Sequence, residues 1–126
     1  MPTLADAALT HDERVLLERF AQELESRLGA AMHAIWLFGS RARGEAWQGE
    51  DSDIDVLVLT EDATWDGKLR VREALQDAAH ELGLEALAWS FSVHVNTSVW
   101  LAERRALRSF FIAEVDRDKV VVAGNA

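Results

Sequence analysis

Two groups of residues in this 126-residue chain have the types and spacing to do chemistry together. The first is Gly39-Ser40-Arg41-Ala42-Arg43-Gly44, and the second, after eight intervening residues, is Asp53-Ile54-Asp55. Alternation along a strand puts Asp53 and Asp55 on one face, with Ile54 turned the other way. Carboxylates held that close repel, and a divalent cation relieves the repulsion. Magnesium suits them, because it takes oxygen ligands, commonly one or two carboxylates completed by waters and phosphate oxygens. The Gly-Ser turn supplies the other half of a site. Glycine lets backbone approach a phosphate closely, and amides that open a helix point at anionic oxygens. Ser40 adds a hydroxyl, and Arg41 or Arg43 adds positive charge, with the choice between them open. ATP or another nucleoside triphosphate, with Mg2+, satisfies every part of the arrangement.

Such residues need a rigid frame. Ala34 to Phe38 is apolar and too short for a helix, so it reads as a buried strand ending at the Gly-Ser turn. Asp53 to Thr60 reads as a second strand, opening with the carboxylates. Between them fall a short helix and the polar loop Glu45 to Ser52, where Trp47 is expected to pack over the motif helix, with a place beside a nucleotide base as the alternative. Two other motifs share part of this pattern and fail. A phosphate-binding P-loop would need Lys and Ser/Thr where Glu45-Ala46 stand. An EF-hand loop starting at Asp51 would need glycine where Val56 stands.

The run from Gly39 to about Val58 resembles the GSxARG…SDxDLxV signature of the minimal nucleotidyltransferases, small members of the DNA polymerase β-type superfamily. Ser52, just before the carboxylates, matches as well. The resemblance implies an α/β (α+β) fold, a mixed β-sheet of about four strands flanked by helices. It implies Asp53 and Asp55 as catalytic metal ligands, and Gly39, Ser40, Arg43 and Ser52 around the nucleotide. It also implies a partner, since small family members commonly pair with HEPN-domain proteins in toxin–antitoxin systems.

Composition narrows the class. The length suits a single domain over residues 1–126, with residues 1–9 as a frayed, disordered lead. No apolar run reaches membrane-spanning length, and Met1 to Asp6 lacks the features of a signal peptide, so a cytoplasmic protein is expected. Without cysteine there is no disulfide, thiolate site or thiol nucleophile. The net charge is −9, and Glu45 to Asp66 holds eight acids without a Lys or Arg. That surface repels nucleic acid, so direct nucleic-acid binding is not expected. Small substrates, a basic protein partner or an oligomer fit better.

Along the chain, Thr10 and Glu13 form a capping box opening an amphipathic helix over 11–28, closed by Gly29. Asp66 caps a second helix over 67–82, with Val71, Leu75, Ala78, Ala79 and Leu82 on one side and Gly83 at its end. Glu85 to Val95 alternates cleanly and predicts a third strand, with Leu87, Trp89, Phe91, Val93 and Val95 on its apolar face. Asn96-Thr97-Ser98 caps a helical region reaching about Glu114, where Leu107, Phe110, Phe111 and Val115 suggest helical packing, with a break near Ser109. Lys119 to Ala123 is a last strand, and the five tryptophans are expected mostly in the core.

The resemblance also implies something missing. Active members carry a third carboxylate on the strand after the second helix, where it holds metal and activates the attacking hydroxyl. Here that strand's polar face offers Ser90, Ser92 and His94, with Glu85 at its start. Two functions therefore stay open. One is an enzyme moving a nucleoside monophosphate to a hydroxyl acceptor, a protein side chain being one candidate. The other is a catalytically deficient nucleotide-binding or structural partner. An imidazole is a common base at neutral pH, so His94 is a candidate base, or simply a strand-end residue near solvent. His11, His33 and His80 lack a second ligand at metal spacing, and Arg104, Arg105 and Arg108 read as a solvated helix face.

Overall fold

The computed structural model describes residues 4–44 and 53–126. Ser52 and Trp47 therefore lie outside the described residues. The elements run α1 (His11–Leu28), β1 (Met32–Phe38), α2 (Gly39–Ala42), β2 (Ile54–Thr60), α3 (Trp65–Leu82), α4 (Glu85–Ala88), β3 (Phe91–Asn96), α5 (Ser98–Ala106), α6 (Phe110–Asp118) and β4 (Val120–Gly124). The strands form one mixed sheet in the order β3-β2-β1-β4. β1 pairs antiparallel with both β2 and β4, whereas β2 and β3 are parallel. A parallel neighbour needs a crossover, and α3 with α4 supplies it.

Alternation along the strands sorts the core into two layers. Ile35, Leu37, Val56 and Val58 face one way and pack with Leu16, Leu17, Phe20 and Leu24 of α1 and Val71 and Leu75 of α3. Ala34, Trp36, Phe38, Leu57 and Leu59 face the other way and meet Leu101 of α5 and Ile112 and Val115 of α6. Asp55 belongs by the same alternation to the α5–α6 face. Among the described residues no helix is long and apolar enough to cross a membrane.

α1 has the bounds its sequence predicts: Thr10 accepts from the Glu13 amide at 3.2 Å, and Glu13 Oε1 accepts from the Thr10 amide at 2.8 Å. Gly83 ends α3 in the left-handed region, although Thr64 rather than Asp66 is its cap. The break at Ser109 is present, where that side chain caps α6.

Several expectations are corrected. Residues 4–9 are no frayed lead: Leu4–Asp6 is a 3-10 turn, Ala7 is buried, and the Ala8 amide donates to the Arg41 carbonyl at 2.8 Å. The third strand starts at Phe91, because Glu85–Ala88 winds into α4. Leu-Glu-Ala-Leu-Ala is good helix-forming sequence, and there local propensity overrides the alternation. Trp89 consequently leaves the apolar face and is 90% exposed. The tryptophans are not mostly core, since Trp36 is buried while Trp65 and Trp89 stand in solvent. Leu107 and Phe110 are exposed too, and the packing of that region rests on Ile112 and Val115.

Candidate functional site

β1 runs straight into the Gly-Ser turn, and its last residue, Phe38, lies opposite Asp55 in the β1–β2 register. Gly39 follows with φ +77°, a conformation that costs an L side chain and is free for glycine. Space demands glycine as well. A Cβ placed there would run into the Asp55 Oδ2 and sit 3.3 Å from its Cγ. The backbone of the turn is thus pressed against the carboxylate.

Asp55 is half-buried, and Asp53 is exposed just before β2. Burial pushes the Asp55 carboxyl above its usual range, and the negative charge of Asp53 pushes the same way. His94 and Arg43 pull it down without prevailing. The charge of Asp53 disfavours the charged form of Asp55, a condition that a bound cation relieves. The donor set fits a hard divalent ion, with two carboxylates, one close to the Gly39 backbone and one open to water. Among the described residues no cluster of three or more His, Asp or Glu side chains has metal-binding geometry, so the oxygens of Asp53 and Asp55 would fill only part of the shell.

The sequence left two arginines undecided, and burial separates them. Arg41 turns into the protein, 6% exposed, with Nη1 donating to Glu13 Oε1 at 2.7 Å and to the Ala8 carbonyl at 3.1 Å. It ties the motif to α1 and to the N-terminal segment. Arg43 lies at the surface, with Nη1 3.4 Å from Asp118 Oδ2, and its charge is also felt at Asp55. Ser40 sits partly exposed in the first turn of α2.

β3 brings Ser92 level with Asp55 in the parallel register, and Ser92 Oγ lies 3.3 Å from His94 Nε2. Ser90 comes just before the strand, its carbonyl accepting from the Ile54 amide at 2.8 Å. Ser92, and not an acid, is therefore the β3 residue level with Asp55. Glu85 does not substitute for it. That side chain is on α4, bonded to His80 Nδ1 at 3.0 Å, and α4 packs with α3 on the opposite face of the sheet. His33 is likewise occupied elsewhere, 2.7 Å from Ser98 Oγ.

Sequence reasoning missed an aromatic wall. The Phe38 ring centroid lies 5.5 Å from that of Phe111, edge-on, and 5.6 Å from that of His94. Phe111 is 72 residues beyond Gly39, too distant in the chain to join by pattern. Its only local signal was a pair of phenylalanines following a helix cap. The wall borders the carboxylates on the α5–α6 face and provides apolar area next to a charged site.

A family model described as polymerase beta, nucleotidyltransferase matches residues 18–99. That span includes β1, the Gly-Ser turn, both carboxylates and β3. Comparison with curated proteins gives no match.

Proposed function

The chain belongs to the polymerase beta nucleotidyltransferase family, and from that premise we propose that it binds a magnesium–nucleoside triphosphate and transfers the nucleoside monophosphate to a hydroxyl, releasing pyrophosphate. The observation that carries this reading is Gly39 fitted against Asp55, which joins a phosphate-binding turn to a carboxylate pair at one point. Asp53 and Asp55 would hold the ion, which when bound offsets the negative charge of the phosphates. The backbone at Gly39 and Ser40 would offer amide donors to the phosphate oxygens, and Arg43 would add a cation at the rim. Phe38, His94 and Phe111 form an aromatic border on one side. Catalysis on this plan is positioning and charge compensation.

The acceptor's proton is the weak point. Ser92 offers no base at neutral pH, and general-base assistance is typically worth ~10²–10⁴-fold. We therefore expect slow transfer to simple hydroxyl acceptors. The same observation favours a second reading, a nucleotide-holding partner that acts by docking. In both readings a HEPN-domain protein is the partner to test, and direct nucleic-acid binding is disfavoured by the net charge of −9.

Incubation with radiolabelled triphosphate, Mg2+ and a hydroxyl acceptor tests the enzyme reading. Asp53→Asn and Asp55→Asn should each abolish label transfer with the far-UV spectrum unchanged, and Ser92→Asp should raise it. Wild-type transfer by either Asn variant would remove the metal assignment. No transfer by wild type or Ser92→Asp, with binding intact, leaves the docking reading.

A further inference from the structure

We propose that the outer edge of β3 is an interface between two copies of this chain, paired antiparallel about a two-fold axis into one continuous sheet. β3 ends the sheet, and among the described residues no strand covers its outer side. The Ser90 carbonyl accepts from β2, so by alternation Phe91, Val93 and Val95 direct their backbone groups outward. Monomeric proteins guard such an edge with charge, proline or a bulge. Phe91-Ser92-Val93-His94-Val95-Asn96 has no Lys, no Pro and an unbroken register with β2. β4, the opposite edge, does carry a register shift in its pairing with β1.

Beside the unguarded edge lies a groove of about 860 Å³ between β3 and α3. The crossover makes α3 antiparallel to β3, so the start of α3 stands over the end of β3. The two exposed tryptophans therefore bracket the groove, Trp89 (90% exposed) at the start of β3 and Trp65 (75%) at its end. Exposed aromatic area of this kind marks an interaction surface.

A second copy is the occupant the groove matches. Antiparallel pairing about a two-fold lays the start of one β3 beside the end of the other, so each contact occurs twice. Trp89 of one copy then meets Trp65 and Leu69 of the other. Glu85, at the Trp89 end, meets Lys68 and Arg72, which line the α3 wall. The groove thus holds opposite charges at positions the symmetry brings together. The net charge of −9 on each copy opposes association, but salt at physiological strength screens it beyond ~8 Å.

Sedimentation equilibrium of the full chain is the test. Wild type should weigh twice its 14.1 kDa at ~50 µM, well above the dissociation constant expected of a specific pair. Trp65→Lys and Trp89→Lys, both at exposed positions, should each weaken the dimer by at least about tenfold with an unchanged melting temperature of the monomer. Lys68→Glu should weaken it, and adding Glu85→Lys should restore it. A monomeric wild type overturns the proposal and leaves the groove to a different chain. A dimer indifferent to both tryptophan variants overturns it as well, since the copies then meet elsewhere.

Discussion

Glu13 and Asp55 are both carboxylates withdrawn from water, and they reach opposite states. Burial raises the pKa of Glu13, but the Arg41 guanidinium at 2.7 Å and the Thr10 amide outweigh it, and the group ends below its usual range. Burial also raises Asp55, Asp53 raises it further, and His94 and Arg43 do not compensate. The first acid is completed within the fold. The second keeps a charged form that, among the described residues, nothing fully offsets. A single hexapeptide serves both, because Arg41 faces Glu13 while Gly39 backs onto Asp55.

Breaking the completed pair should cost most. Arg41→Ala leaves Glu13 buried without its counter-charge and should lower stability by about 3–5 kcal/mol, read from urea denaturation. The same change loosens the Ala8 carbonyl, so protection of the N-terminal segment in hydrogen exchange should fall with it. An Arg41→Ala variant as stable as wild type would mean the pair is not structural.

Gly39→Ala sits between the two regions in effect. Its φ of +77° and the collision with the Asp55 carboxylate should cost roughly 1–3 kcal/mol, together with the loss of triphosphate binding. Wild-type stability with wild-type binding would show that the turn is not fitted to the carboxylate.

The two acids also give opposite pH slopes. Glu13 has a lowered folded pKa, so its contribution is full above the ordinary carboxylate range and is lost as pH falls through the folded value. Asp55 has a raised folded pKa, so in metal-free protein it costs stability above that value, and the cost fades as pH falls through it. The urea midpoint followed across the acid range should flatten on its falling limb in Glu13→Gln. In Asp55→Asn the opposing limb should vanish instead. The smallest effect expected is at neutral pH, where Asp55→Asn should raise the metal-free midpoint slightly. A lower midpoint there would mean the charged form is stabilised within the fold, as Glu13 is.

How far the sequence was legible follows the range of its signals. Caps and helix ends are set within a few residues, so Thr10, Glu13, Gly29 and Gly83 could be read directly. Gly39 and the Asp-x-Asp spacing were legible for the same reason. The strand expected from Glu85 was not, because alternation and helix propensity competed over residues 85–88 and propensity won. Arg41 and Arg43 could not be told apart, since the choice depends on Glu13, 28 residues away. Phe111 reaches the site only through the packing of α6, which no local pattern encodes.

Triphosphate binding tests the central claim most directly. With the metal-free chain, ATP, GTP, CTP and UTP are each titrated at millimolar concentration, with and without magnesium, while the melting temperature is followed. A ligand held only by the folded state must raise it. At least one triphosphate should do so, in wild type and only with magnesium, and the shift should disappear in Asp55→Asn. No shift with any of the four, or an equal shift in Asp55→Asn, would contradict the assignment of Asp53 and Asp55 to a magnesium–triphosphate.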